Sequence, residues 1–503
     1  MINAQKRLST WFLVLLSLPT AAVGFALSSS IATTTWLLST RYNLHLENIA
    51  FIWLMGPLMG LLVQPIVGAL SDRTWLMKGR RRPYLLAGGV AGAVSTYAML
   101  ELDTIAAATG LSLIAVAVLV ALVADLATNV TFNPARSLVA DLTPEGPARV
   151  RGYAWMQTVS GVLGISAYLI SIFFGNLALV LVTVAVVFFL TLVPLLFIEE
   201  TAPASIAAQA LPGPNTPAQR ASGLAAFKAL WPMVGFFVYG VFAAADKLIF
   251  GNALAHWAVP LFMATMLLTL LWGIAIVWQG RSRPSSQNRL QAMLMAHGFA
   301  WLGVQSMFVM GFFYVRDFVV PAAGGSVLAD GLYHLANATT ATTAADTAGR
   351  ILSMGFLLLN LVGAALPVLV LKPLCQRFGK VSVHRSAMGL MAGAYAFIVL
   401  APTNEFYYYL GMLLCGIGWS SLISIVFAIY SEAVDSREMG VSMGVFNSSL
   451  VLPALAVPGL LKLSDSMDQH RWVFAIFAIC LALSFAFWCA VSERENSDAG
   501  SGE

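Results

Sequence analysis

One polar stripe on an otherwise apolar helix carries the residues best suited to chemistry. Within the apolar run from about residue 111 to 138, Asp125, Asn129 and Asn133 recur every four residues. That spacing places them on one face of an α-helix. Arg136 falls within about 20° of Asp125 on the helix wheel but about 16 Å further along the axis. An ionised carboxylate in the middle of a membrane span costs several kcal/mol, so Asp125 is expected to be paired, hydrated or protonated.

The composition is that of a protein that crosses a membrane many times. Of the 503 residues, 59% are hydrophobic and 10% are charged, whereas soluble proteins have roughly 45–50% and about 25%. The four cysteines form no C-x-x-C pair, so packed thiols are expected rather than a metal or disulfide site. The sequence contains no recognisable nucleophile–base pair, metal-ligand set or phosphate loop. We therefore expect neither an enzyme nor a cofactor.

Fourteen apolar runs are long enough to be membrane-spanning helices. They lie near 11–38, 50–70, 83–101, 111–138, 152–174, 177–197, 229–250, 255–278, 290–315, 350–372, 385–402, 406–430, 440–461 and 471–491. The predicted fold class is an all-α polytopic membrane protein with two six-helix halves and an inserted two-helix hairpin. The predicted segments are an N-terminal half at 1–197, a linker at 198–228, the hairpin at 229–280, and a C-terminal half at 281–503 with an outer loop at 317–348.

The placement of the cations predicts the orientation. If the N-terminus is cytoplasmic, alternate loops on that side contain 20 of the 27 Lys and Arg residues. The positive-inside rule then places both termini in the cytoplasm, with the chain in the plasma or bacterial inner membrane. The first apolar run has no convincing small-residue cleavage site, so it is interpreted as the first span rather than as a removed signal peptide.

The loop after the second span carries the most specific motif of the chain. It reads G-A-L-S-D-R-T-W-L-M-K-G-R-R-R-P-Y from Gly68 to Tyr84. Its motif residues are Gly68, Asp72, Arg73, Gly79, Arg80 and Arg81. The string resembles the cytoplasmic loop of the major facilitator superfamily. The preceding residues 51–68 resemble the sucrose-transporter and glycoside–cation symporter branch, which implies the major facilitator fold and a transport function.

The fourth predicted span resembles the same branch. The segment from Asp125 to Asp141 is similar to the pattern D-x-A-N-N-x-x-Q-G-P-x-R-A-L-L-A-D. The resemblance implies that Asp125 couples transport to protons and that Arg136 takes part in transport. Two structural alternatives stay open: Asp125 as the partner of a cation, and Arg136 in an inner ion pair with Asp141 or Asp72.

Several amide side chains within the predicted spans are candidates for a sugar site. Each amide offers both donors and an acceptor, which suits sugar hydroxyl groups. The candidates for substrate binding or gating, besides Arg136, are Asn129, Gln64, Gln157, Gln305 and Asn447. Packing between helices is the alternative for each of them. Trp155, Trp301 and Trp419 are candidates to stack on a sugar ring, whereas His297 is predicted to make a satisfied polar contact.

These features predict a secondary transporter that imports a disaccharide or related glycoside by proton symport through alternating access. Sodium remains open as the coupling ion, and the sequence does not choose among the sugars. The expected partners are the sugar, the coupling ion and the lipid bilayer, with no nucleic acid. Two alternatives are a drug/proton antiporter of the same superfamily and a non-transporting assembly factor or sensor with this fold.

Overall fold

A computed structural model describes most of the chain. The described residues are 8–56, 59–60, 63, 66–67, 70–71, 75–144, 147–200, 228–283, 285–323, 343–434, 439–466 and 471–492. The regular elements in these ranges are helices, apart from one isolated bridge between Leu76 and Gly79. The predicted substrate or gating residue Gln64 and the predicted loop-motif residues Gly68, Asp72 and Arg73 lie outside the described residues.

Nineteen α-helices are described. In the first part of the chain they are α1 Thr10–Thr40, α2 Leu46–Trp53, α3 Arg82–Ala98, α4 Leu102–Thr109, α5 Leu113–Leu142, α6 Pro147–Phe174 and α7 Asn176–Phe197. The later ones are α8 Val234–Leu248, α9 Ala258–Ser282, α10 Ser286–Tyr314, α11 Val320–Ala323, α12 Ala344–Leu366, α13 Lys372–Phe378, α14 Lys380–Leu400, α15 Glu405–Leu422, α16 Ile425–Ala433, α17 Met439–Ala454, α18 Val457–Asp465 and α19 Val473–Trp488. Single π-helical turns at Val315–Val319 and Pro367–Leu371 follow α10 and α12.

Ten continuous helical segments among the described residues are long and apolar enough to cross a membrane. An eleventh is counted if α3 and α4, which meet at a 91° bend, form one span. Three further predicted spans account for the difference from fourteen. The run 50–70 is only partly described, while α8 with 15 residues and α19 with 16 residues are shorter than the other spans.

Local sequence signals account for the start of α5 and for the end of α3. Ser112 caps α5 by accepting a hydrogen bond from the amide of Ala115 at 3.3 Å, which satisfies one of the free N–H groups at the helix start. Pro134 lies inside α5, yet the helix continues to Leu142. The third predicted span ends at Ala98 because the chain bends there, where Tyr42 donates to the carbonyl of Met99 at 3.0 Å.

Contacts divide the chain into two compact units. The first comprises residues 1–214 and 311–357, and the second comprises residues 215–310 and 358–503. In the first unit, α1 packs against α6 and α7, while α3 packs against α5 and α7. The helix that carries Asp125, α5, packs against both α3 and α1.

In the second unit, α14 packs between α15 and α19. The predicted hairpin falls on α8 and α9, which pack against α17 and α18. Tyr239 of α8, 1% exposed, meets Phe262 of α9 edge to face with ring centroids 5.3 Å apart. Phe299 of α10 stacks on Phe487 of α19 at 5.7 Å. Phe236 of α8 also meets Phe299 edge to face at 5.8 Å, so an aromatic contact links the hairpin to α10.

Candidate functional site

Asp125 lies near the middle of α5, at a half-buried position in the first unit. Its side chain lines a cavity of about 110 Å³ between α1, α3, α5 and α7. The other polar residues of this cavity all carry hydroxyl groups: Ser29, Ser30, Thr33, Thr34, Thr96, Thr128, Thr131, Thr183 and Thr191. No second charged residue lines the part of this cavity that the structure describes.

The hydroxyl groups of this cavity make its lining polar. A hydroxyl both donates and accepts, so it solvates a carboxylate as well as a carboxylic acid. Several are held by their own helix: Thr33 donates to the carbonyl of Ser29 at 2.8 Å, and Thr131 donates to that of Ala127 at 2.9 Å. Across helices, Thr183 Oγ1 lies 2.7 Å from Ser29 Oγ. The cavity thus stabilises polar groups without neutralising a charge.

Gly56 defines one wall around the carboxyl group of Asp125. A Cβ atom added at Gly56 would lie 3.2 Å from Oδ1 and 3.3 Å from Oδ2 of Asp125. These distances are tighter than ordinary van der Waals contact, so the carboxyl group occupies the space that the missing side chain leaves. Gly56 was not predicted as a site residue, although it stands within the string 51–68 on which the family resemblance rests.

The predicted polar stripe on α5 divides into residues with different surroundings. Asn129 is buried at 7% exposure, and its Nδ2 donates to the backbone carbonyl of Asp125 at 2.8 Å. Arg136 is exposed, with its guanidinium 4.4 Å from the ring centroid of Phe132. The hydroxyl of Tyr153 also donates to the carbonyl of Arg136 at 3.3 Å. In this structure Arg136 therefore makes a cation–π contact.

The predicted amide residues do not gather at one place. Gln157 and Asn447 are exposed, on α6 and α17 respectively. Gln305 is half-buried on α10, where its Nε2 donates to the carbonyl of Leu450 at 3.0 Å. Gln64 falls outside the described residues.

A second polar cluster joins the loop before α3 to the ends of α5 and α7. Arg80 and Arg81 both pair with Asp141, at 3.1 and 3.0 Å. Arg81 is 4% exposed, and it also donates to Ser71 Oγ at 2.5 Å. Asp141, one of the two predicted alternatives for Arg136, is thus engaged by the loop arginines instead. We call Arg80, Arg81, Asp141 and Glu200 the loop cluster.

Glu200 completes the loop cluster and was not among the predicted site residues. Its carboxylate accepts hydrogen bonds from the backbone amides of Arg80 at 2.8 Å, Arg81 at 3.1 Å and Arg82 at 3.1 Å. Arg80 and Arg81 directly precede α3, and Arg82 is its first residue. The helix dipole also favours an anion at this end. Gly79 makes room for the contact, because an added Cβ would meet Glu200 Oε1. The signal in the sequence is an acidic pair, Glu199–Glu200, directly after an apolar span.

The second unit contains a counterpart to this arrangement. Lys380, at the start of α14, pairs with Glu432 near the end of α16. The two halves of the chain share a weak internal repeat, in which Gly379–Lys380 corresponds to Gly79–Arg80 and Glu432 corresponds to Asp141. Each unit therefore contains a cation-to-carboxylate pair at the corresponding positions.

A family model described as the BT1 family matches residues 23–329, which is more than half of the chain. The chain belongs to the BT1 family. The matched range includes α5 with Asp125 and the whole loop cluster. This match and the similarity to known sucrose and alpha-glucoside transport proteins confirm the predicted resemblance to the sucrose-transporter branch.

Parts of this BT1 family chain are similar in sequence to two known transport proteins. Sucrose transport protein SUC4 of Arabidopsis thaliana is 41% identical over 124 residues, covering 22% of this chain and 24% of that protein. General alpha-glucoside permease of Schizosaccharomyces pombe is 30% identical over 168 residues, covering 31% of this chain and 30% of the permease. The matches thus span between about a quarter and a third of each relative.

Solved transporter structures share the fold over nearly the whole chain. A variant of the nucleoside transporter NupG covers 96% of this chain and 100% of its own, with a TM-score of 0.62 and 13% identity. A variant of the peptide transporter POT in complex with alafosfalin covers 95% and 93%, with a TM-score of 0.62 and 15% identity. At these identities the likeness concerns the fold alone. It confirms the predicted class, an all-α polytopic membrane protein with the major facilitator fold.

Proposed function

We propose that this chain is a secondary transporter that imports a disaccharide or related glycoside together with a proton, by alternating access. The observation that carries the proposal is the half-buried carboxyl group of Asp125 in a hydroxyl-lined cavity at mid-span. Ionisable residues inside membrane spans usually mark ion or proton pathways. The sucrose and alpha-glucoside transport proteins among the relatives support the choice of sugar.

The proposed cycle follows from the surroundings of Asp125. A proton taken up from the outer side neutralises the carboxyl group, and a sugar then binds with the protonated form. The change of access releases both on the cytoplasmic side. At a membrane potential of 100 mV, one charge moved inward supplies about 2.3 kcal/mol, which sustains roughly fiftyfold accumulation.

The loop cluster is proposed to be a structural support of the transport cycle on the cytoplasmic side. Arg80 and Arg81 tie the loop before α3 to Asp141 at the end of α5. Glu200 ties the same loop to the segment after α7. Placing this cluster in the cytoplasm follows the positive-inside rule, with the plasma or inner membrane as the proposed location and both termini cytoplasmic.

The proposal is tested by external pH in lightly buffered, de-energised cells that express the protein. A panel containing sucrose, maltose and other glycosides is added one compound at a time. We expect transient alkalinisation of the medium with at least one glycoside, because each imported sugar removes a proton from outside. Absence of a pH change with every sugar, in protein shown to reach the membrane, contradicts proton–glycoside symport.

Gly56→Ala is expected to lower proton-driven sugar uptake about tenfold, because small displacements of a positioned group have large effects on rate. The added methyl group would lie 3.2 Å from Oδ1 of Asp125 and force the carboxyl group to move. Initial uptake rates in cells with matched amounts of membrane-inserted protein measure the effect. Gly161→Ala is the control, since an added Cβ there meets nothing within 4 Å. Equal rates for both variants would show that Gly56 does not position Asp125.

A further inference from the structure

The helix α10 leaves one narrow face open in the second unit. Between Ala292 and Met310, every residue of α10 is buried except Trp301, Gln305 and Phe308. Their spacing of four and three residues places them on a single face. A lipid-facing helix exposes a broad apolar surface, whereas this strip is narrow and carries an amide at its centre. Such a strip suits a ligand with both apolar and hydroxyl-bearing surfaces.

Gln305 supplies an acceptor that is not used within the protein. Its Nε2 donates to the carbonyl of Leu450 at 3.0 Å. Because a carbonyl can only accept, this bond fixes the orientation of the amide and leaves Oε1 as the acceptor. Gln305 Oε1 is buried, with no hydrogen-bond partner among the described residues. A buried acceptor in this state is stabilised by a ligand hydroxyl that donates to it.

Two indole rings lie at the same face of α10. Trp301 meets Trp419 of α15 edge to face, with ring centroids 5.9 Å apart and planes at 74°. Trp419 in turn meets Phe308 at 6.1 Å. Both indoles are half-buried, so part of each ring remains open. An apolar ring face beside a hydrogen-bond acceptor matches a pyranose ring, whose C–H face is apolar and whose rim carries hydroxyl groups.

The indole of Trp301 is held in place by a buried histidine. Trp301 Nε1 donates to Nε2 of His297 at 2.8 Å, and Nδ1 of His297 lies 2.8 Å from Ser449 Oγ. An indole N–H only donates, so Nε2 accepts and the ring proton is assigned to Nδ1, which donates to Ser449. Ser449 then donates to the carbonyl of Phe446 at 2.6 Å. Every group in this chain of hydrogen bonds is satisfied, and the chain fixes the rotation of the indole.

We propose that Trp301, Gln305 and Trp419 form a binding site for one pyranosyl ring of the transported glycoside, and that His297 is its positioning residue. The inference rests on the proposed sugar transport and adds to it the ring-binding residues of the second unit. His297 acts through Trp301 and does not itself touch the sugar.

Entrance counterflow in proteoliposomes tests the site. Radiolabelled sucrose and maltose are the probes, each exchanged against the same unlabelled sugar inside, and the half-saturating concentration is measured. Trp301→Ala is expected to raise this concentration at least tenfold. Trp278→Ala, at a tryptophan of α9 that is 73% exposed, is the control and is expected to leave it unchanged.

A matched pair of substitutions separates positioning from packing at His297. In His297→Gln the amide oxygen takes the place of Nε2 and still accepts from Trp301, so half-saturation is expected to stay within about twofold of the wild type. His297→Asn keeps only the contact to Ser449. The half-saturating sugar concentration is therefore expected to rise about tenfold, with little change in the maximal exchange rate.

The outcomes divide between the two proposals. If the wild-type protein exchanges the sugar and Trp301→Ala has the same half-saturating concentration, the pyranose site is overturned. Equal behaviour of His297→Gln and His297→Asn overturns the positioning role. A wild-type protein that exchanges neither these probes nor any glycoside of the panel overturns the proposed transport function, and the site with it.

Discussion

Replacing Asp125 with Asn is expected to abolish sugar accumulation against a gradient, while exchange of sugar between two equal pools is expected to persist. Asparagine has the same shape but cannot take up or release a proton, so the step that couples the sugar to the proton gradient is lost. At 100 mV the accumulation ratio is expected to fall from roughly fifty to one. Uptake of labelled sugar into energised proteoliposomes measures the ratio, and counterflow measures the exchange.

The pH dependence provides a second observable for the same substitution. Wild-type uptake is expected to fall as external pH rises, because the outward-facing carboxyl group binds a proton less often. Exchange by the Asn variant is expected to be independent of pH over the same range. Asp103→Asn is the matched control, since Asp103 is exposed on α4 and hydrogen-bonds to the amide of Thr104. Accumulation that survives in Asp125→Asn would place the coupling group elsewhere in the protein.

Glu200→Ala is expected to lower the free energy of unfolding by about 2–3 kcal/mol, because a charged acceptor is removed from three backbone amides. The amides belong to Arg80, Arg81 and Arg82, at the start of α3. Thermal unfolding of the purified protein in detergent measures the loss. Gly79→Ala is expected to act in the same direction, since its methyl group would occupy the position of Glu200 Oε1.

Two further variants test how much of this stability loss is due to the charge of Glu200. Glu200→Gln retains an accepting oxygen and is expected to lose about half as much stability as the Ala variant, because hydrogen bonds to a charged group are roughly twice as strong. Asp103→Ala, at an exposed position, is expected to be neutral. If Glu200→Ala unfolds at the wild-type temperature, the amides of the loop are solvated in the native state and the cluster contributes nothing to stability.

The sequence was sufficient to place the coupling candidate. An apolar run with one carboxylate at its centre predicts a long helix with Asp125 near its middle, because helical rise and span length are fixed. The structure keeps α5 continuous from Leu113 to Leu142. The loop arginines were also recognisable, since a dense basic motif has few alternative interpretations.

The partners of these residues could not be predicted, because they depend on how distant helices pack. Glu200 contacts the amides of Arg80 to Arg82, about 120 positions earlier in the chain. Asp141 was considered as a partner of Arg136 on its own helix, but it pairs with Arg80 and Arg81. A helix wheel gives the direction of a side chain and no information on what it meets.

The same limit applies to the aromatic site of the second unit. Trp301 and His297 lie four residues apart, a spacing at which side chains on a helix can meet. Their hydrogen bond was therefore within reach of sequence reasoning. The participation of Ser449 and Trp419, which lie more than 100 residues further along, required the packing of α10 against α15 and α17.

Proton entry that depends on sugar tests directly whether this protein is a proton–sugar symporter. Proteoliposomes with a trapped pH indicator receive the active glycoside under three conditions: an inward proton gradient, an inward sodium gradient, and no gradient. We expect internal acidification with each addition of sugar, and sugar accumulation only under the proton gradient. Accumulation driven by sodium alone, or sugar entry without any acidification, would contradict it.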